Sequence, residues 1–300
     1  MNWTTAALLS AGILAIVNVV DSHLLSRRMP SLGSFLLPAG LCHLFYGTVL
    51  FFIFPFPKSI EAYPLTVAVV SGILRGAAVT IMLYIMTKEE ISQVVPIVHT
   101  YPIFVAIMAF VLLGESLAYQ QWLAIIVVVA GAVLVSLNRS RSGGRFWLSC
   151  SFGLLLLSGL MLAGADITSK YALDYFSSWN MYCLSVLCMS SLFFAVSLRG
   201  SILQELRSMP RLRSAIAIIA ANETLAPIGI TLAFLAIEQG KVSLASTIAS
   251  SRPFFVFIYA IVLSRVSPAF LNWRPTGGAL LLRFVATAMI VVGIAAIHLL

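Results

Sequence analysis

The chain has 300 residues, of which 61% are hydrophobic and only 9% charged, with a mean hydropathy of +1.04. A water-soluble domain carries about a quarter charged residues, so 18 Lys and Arg with 10 Asp and Glu cannot coat a water-facing surface, and a soluble catalytic domain is excluded. The net charge of +8 is scattered through short connections without the aromatic-interleaved patch of a nucleic-acid binder, which leaves membrane orientation as its use and excludes a nucleic-acid partner.

A hydrocarbon core of about 30 Å needs about 20 apolar residues per helix. In chain order, uncharged runs predict spans at 3–25, 33–54, 65–86, 91–113, 119–137, 148–172, 179–198, 213–237, 242–264 and 277–299. They break at turn-forming or charged clusters: Pro55 to Pro57, Lys88-Glu89-Glu90, and Arg139 to Arg145 with Gly143-Gly144. The fold class is therefore all-α and polytopic, because a spanning segment must satisfy its own backbone and these runs are too long for barrel strands. The opening MNWTTAALLS lacks a basic n-region, so the first span is expected to be retained. Cys42, Cys150, Cys183 and Cys188 fall in or beside apolar segments without metal or redox spacing, and they read as small buried hydrophobes; no metal or cofactor motif is present.

The two halves repeat. Ile91 to Leu113 aligns without a gap on Val242 to Ser264, placing Ser92 on Ser243 and Pro102 on Pro253, and Asp21 falls similarly on Asp166. Residues 1–140 and 146–300 are thus expected to form two five-helix repeats. An odd number of spans per repeat turns the second upside down in the membrane, the inverted plan of secondary transporters with a site near midplane.

Two five-helix halves, a proline within each fourth helix, and the LLGES ending at Leu112 to Ser116 resemble the EamA-type ten-helix transporters of the drug/metabolite transporter superfamily. The resemblance implies export or exchange of small metabolites, or flipping of lipid-linked sugars. The second half departs from the pattern, with Arg265-Val266 where the first has Gly114-Glu115. Glu115 itself reads as a residue starting the next helix, where a carboxylate suits the helix dipole.

An ionisable group at bilayer depth is costly unless paired or hydrated, and is a functional candidate by default. Arg75, Tyr101, Glu223 and Arg252 each sit about ten residues into their spans, about 15 Å deep. They are expected to meet in one cavity, with Arg75, Tyr101, Asn222 and Arg252 as the substrate-binding set. Glu223, with His99 half a turn from Tyr101, is the coupling or ion-pair candidate. One buried Arg–Glu pair would leave the second arginine for a substrate anion. Pro102 and Pro253 are structural kinks, each freeing the carbonyl four residues earlier, Val98 and Ala249. Asp21 and Asp166, about 18 residues into their spans, are expected near opposite faces, Asp166 in a lateral i,i+4 pair with Lys170 and Asp21 at a wet helix end. His43 reads as a neutral histidine without an identifiable partner, and Arg283 as reaching the interface.

No P-loop, HExxH-like spacing or Gly-rich filter occurs, which disfavours an ATP-driven pump, an enzyme and a channel. The expectation is a secondary transporter of a small, anionic organic metabolite, with a flippase for a phosphate-bearing lipid or lipid-linked sugar as the alternative. Its partners are a small-molecule or lipid-headgroup substrate and membrane lipids, in the plasma (bacterial inner) membrane. Twelve basic residues fall in connections after odd-numbered spans, whereas Lys58 and Lys241 alone lie on the other side. The positive-inside rule then puts both termini outside, opposite to the cytoplasmic termini usual in EamA-type relatives.

Overall fold

A chain in hydrocarbon must pair its own backbone N–H and C=O groups, and among the described residues every regular element is an α-helix. The computed structural model describes residues 1–57, 60–89, 91–136, 150–266 and 277–299. The join between the two expected repeats, at 141–145 with Arg141, Gly143-Gly144 and Arg145, lies outside the described residues, as do Lys58, Arg139, Arg274, and the side chains of Arg265 and Arg283.

The helices are α1 (Trp3–Arg27), α2 (Leu32–Ile53), α3 (Ala62–Met86), α4 (Ile91–Val98), α5 (Pro102–Leu112), α6 (Tyr119–Ser136), α7 (Cys150–Ala172), α8 (Ser178–Ser197), α9 (Gly200–Ser208), α10 (Leu212–Glu223), α11 (Ala226–Gln239), α12 (Val242–Ala249), α13 (Arg252–Val266) and α14 (Gly277–Leu299). Eight candidate spans are long and apolar enough to cross a bilayer: α1, α2, α3, α7, α8, and the joined pairs α4–α5, α10–α11 and α12–α13. Tyr119–Leu134 of α6 and Val285–Ile297 of α14 are shorter apolar helices among the described residues. Large apolar side chains such as Phe52, Phe110 and Val111 point outward, as a lipid-facing surface requires.

Local chemistry sets several ends. Ser31 accepts from the Ser34 N–H while Ser34 Oγ accepts from the Ser31 N–H, a reciprocal cap that starts α2. Ser177 accepts from the Asn180 N–H at the start of α8. Gly114, with φ of 65°, takes the left-handed position just past α5, where a residue with a Cβ is strained.

Hydropathy predicts one continuous span for each joined pair, and here the structure differs. Each pair is interrupted by a tight turn, closed by Tyr101 N–H on the Val98 carbonyl at 3.2 Å, Leu225 N–H on Asn222 at 3.0 Å and Ser251 N–H on Ile248 at 3.0 Å. The cause is a proline in the first turn after each break, Pro102, Pro227 or Pro253: it lacks an N–H and clashes with a continuing helix. The Val98 carbonyl is accordingly bonded within its turn rather than left free for a cavity.

The connections sort to two ends. At one, Gly240 abuts the Trp3 ring, Lys170 Nζ donates to the carbonyls of Ile237, Glu238 and Gly240, Ser178 bonds Glu238, and Asn180 donates to the Phe54 carbonyl. The N-terminus lies at this end. At the other, Ser31 Oγ donates to Glu205 at 2.5 Å, tying the α1–α2 connection to α9. This helix, not expected from hydropathy, buries Ile202 and Leu206 and exposes Arg207. The expected lateral pair of Asp166 with Lys170 does not form, because the carbonyls at the C-terminal end of α11 take the ammonium, a position the helix dipole favours.

In a bilayer, helices associate through close packing of small residues rather than through hydrophobicity. Gly72 and Gly76, spaced i,i+4 on α3, face α8: a Cβ on Gly72 would meet Cys188 Cβ at 2.9 Å, and one on Gly76 would meet Leu192 at 2.9 Å and Met189 Cα at 3.0 Å. Gly76→Leu should destabilise the protein by about 1–3 kcal/mol, read as a lower melting temperature in detergent, whereas the same change at Gly153, which faces open space, should leave it unmoved.

Candidate functional site

The three helix breaks converge on a cavity of about 120 Å³, room for on the order of ten waters or a small metabolite. Its walls are apolar, from Leu14 and Val17 of α1, Phe35 of α2, Val79, Met82 and Leu83 of α3, and Phe193 of α8. Polar groups enter from seven sides: Asn18 and Asp21 (α1), His43 (α2), Arg75 (α3), His99 and Tyr101 (α4–α5 break), Asp166 (α7), Glu223 (end of α10) and Arg252 (start of α13). Gly159 lets α7 press against the α4–α5 break, where an added Cβ would sit 3.2 Å from the Val98 carbonyl.

The polar groups fall into two clusters. In the first, Arg75 Nη2 donates to Asp166 Oδ1 at 2.8 Å, and Ser246 Oγ of α12 donates to Oδ2 at 2.7 Å. The Arg75 guanidinium also lies 5.0 Å above the Phe234 ring, a cation–π contact. Both carboxylate oxygens of Asp166 are thereby engaged. Arg252 lies within electrostatic reach of Tyr101, Arg75 and Asp166 but forms no ion pair among the described residues, and its Nε is buried without a hydrogen-bond partner. His99 and Tyr101 meet edge to face with centroids 5.8 Å apart, and His99 Nδ1 is likewise unpartnered.

In the second cluster, His43 Nε2 lies 3.0 Å from Glu223 Oε2, an ion-pair distance with the N–H aimed off the oxygen. Asn222 Nδ2 donates to Asp21 Oδ1 at 2.8 Å and to the Val17 carbonyl at 3.3 Å. Asp21 and Glu223 interact across the cavity. Asn18 Nδ2 is buried and unpartnered.

The cavity thus gathers Arg75, Tyr101, His99, Glu223 and Arg252. Asn222 stands behind it, spent on Asp21 rather than facing the cavity. Glu223 is paired with His43, not with an arginine, so His43 has the partner that sequence reasoning did not find. Asp21 and Asp166 are cavity residues, not residues of opposite faces. Counting depth from each helix's first residue assumes that all helices start in one plane, and α1 and α7 do not obey it. The signal for these two was available: intramembrane carboxylates at matched positions of the two halves. Pro102 and Pro253 mark helix breaks rather than kinks within continuous helices.

No curated protein matches the chain. A solved crystal structure of a protein is similar over 98% of this chain and 94% of its own, with a TM-score of 0.65 and 14% sequence identity, a likeness of fold alone. Eight apolar helices long enough to span mark the chain as a multi-pass integral membrane protein, and its residues 1–137 are similar to the EamA-like transporter family.

Proposed function

We propose that the protein is a secondary transporter of a small anionic metabolite, working by alternating access between two inverted five-helix repeats, 1–140 and 146–300. The helix pairings support the repeats: α3 lies along α7 as α1 lies along α11, α1 meets α12 and α13 as α7 meets α4 and α5, and α2 with α8 and α6 with α14 pair across the middle. A two-fold axis in the membrane plane generates this set. The observation that carries the substrate reading is the charge balance of the first cluster: two arginines face one carboxylate, and Arg252 is the guanidinium left over.

In this reading Arg252 grips a carboxylate or phosphate bidentately, while Tyr101 and His99 offer hydrogen bonds and Arg75 positions Asp166. Arg252→Gln should lower anion binding about tenfold or more with the fold retained, and Arg252→Lys should also weaken it, because a lysine cannot present the planar fork. Arg75→Gln leaves Asp166 buried and unpaired, so its main effect should be a loss of about 3 kcal/mol of stability. Transport assays in proteoliposomes and thermal melts separate the two. Wild-type transport by Arg252→Gln would make that arginine structural and overturn the anion reading.

The second cluster supports coupling. Asp21, Glu223 and His43 form a proton-exchanging group on the same cavity as Arg252, so a proton and an anion would move together or be released together. Glu223→Gln keeps nearly the same shape and removes the titratable group. It should abolish the acceleration of transport by an imposed pH gradient while leaving substrate exchange measurable; acceleration equal to wild type would exclude Glu223 from coupling.

The proposed location is the plasma (bacterial inner) membrane with both termini outside, and the distribution of basic residues supports this orientation. Arg27, Arg28, Arg199, Arg207, Arg211 and Arg213 cluster about the end that carries α9, away from the N-terminus. A cysteine added to either terminus should react with an impermeant maleimide in intact cells; protection of both termini would reverse the orientation.

A further inference from the structure

Glu115 lies in the α5–α6 connection, away from the cavity, and plays no part in substrate binding or proton coupling as proposed. It does not start the next helix, which begins at Tyr119. Instead, the left-handed turn at Gly114 is closed by the Glu115 N–H on the Ala109 carbonyl at 3.1 Å, and the side chain reaches the other half of the protein. Its carboxylate accepts from the Val242 N–H at 2.8 Å, from Ser243 Oγ at 2.7 Å and from the Ser243 N–H at 3.4 Å. Beside it, Lys241 Nζ donates to the Ser116 carbonyl at 2.7 Å. A carboxylate capping the first N–H groups of α12 satisfies donors that have no partner within the helix and complements its dipole.

The helix held in this way leads directly to the site. All eight residues of α12 are buried, Ser246 on it bonds Asp166, and it ends at the break that presents Arg252. One end of α12 is therefore fixed by Glu115 and the other is tied to the arginine cluster. The alignment of the halves makes the arrangement one-sided. It places Val242-Ser243 on Ile91-Ser92 and Glu115 on Val266, and a valine side chain has no group that can accept a hydrogen bond.

From this we infer that Glu115 is a latch that closes the transport path at the end bearing the N-terminus, and that the chain has no matching latch from the equivalent position at the opposite end. The inference rests on the alternating-access reading but not on the identity of the substrate. Glu115 acts as a positioning residue: it holds α12, and the resting protein is the state shut at that end. Anion binding at Arg252, which follows the far end of α12, pulls on the latched helix.

The test uses the full chain with its four native cysteines replaced and Val79→Cys as a reporter, since Val79 lines the cavity. An impermeant maleimide is applied separately to each face, in intact cells and in inverted vesicles. Glu115→Ala should raise the labelling rate from the N-terminal face by roughly fivefold or more, the loss expected for a helix cap, while labelling from the other face stays level or falls. Ser243→Ala, which removes one of the bonds, should give an intermediate shift in the same direction. A merely structural role would lower the melting temperature and leave the ratio of the two rates unchanged, and that result overturns the latch. If Glu115→Ala does not accumulate, Glu115→Gln, which retains an acceptor oxygen, is read by the same ratio. Arg252→Gln without effect on anion transport would remove the anion and leave the latch standing, whereas an unchanged labelling ratio removes the latch and leaves the anion.

Discussion

The ion pair between Arg75 and Asp166 is the interaction on which the rest of the site depends. Removing two charges from water costs several kcal/mol apiece, and the attraction repays it only when the geometry is good and the remaining hydrogen-bonding positions are filled. Here Asp166 gives one oxygen to Arg75 and the other to Ser246, and Phe234 lies beneath the guanidinium. The pair joins α3, α7 and α12. With each oxygen of Asp166 already accepting a hydrogen bond, Arg252 forms no ion pair among the described residues. The chemistry of the site follows from that surplus.

Broken helices make the arrangement possible. Irregular backbone at membrane depth is tolerated where it is buried in protein or lines a cavity, and all three proline-marked breaks do so. Each divides a span into two half-helices and delivers a polar side chain at the break: Tyr101, Glu223 and Arg252. The half-helix α12 runs from the Glu115 contact at its first residues to the arginine cluster at its last.

How much of this was legible in the sequence follows from the physics of each feature. The helical segments were readable because span length is set by bilayer thickness, and the first and last residues of each differ from the structure by only a few positions. The shared cavity of Arg75, Tyr101, Glu223 and Arg252 was readable from depth, because charges at midplane have nowhere else to go. The helix breaks were not, since hydropathy is indifferent to a turn; Pro227, in the same first-turn position as Pro102 and Pro253, was the unused signal. The pairing of Glu223 with His43 and of Asp166 with Arg75 depends on which helix faces which, and this no single helix encodes. Asp166 and Lys170 satisfy the i,i+4 rule, yet both found stronger partners on other helices. The LLGES segment was recognisable as a pattern, but its physical meaning, a left-handed glycine that turns a carboxylate toward the N-terminus of α12, required the fold.

The central claim is that Arg252 awaits an anion supplied from outside the protein. The most direct measurement is a cryo-electron microscopy map of the protein in nanodiscs prepared with native lipid and cell extract. The account predicts density for an anionic group within hydrogen-bond distance of the Arg252 guanidinium, inside the cavity and next to Tyr101, with Arg75 still on Asp166. Arg252 turned onto Asp166 or Glu223, in a cavity without ligand density, would contradict it.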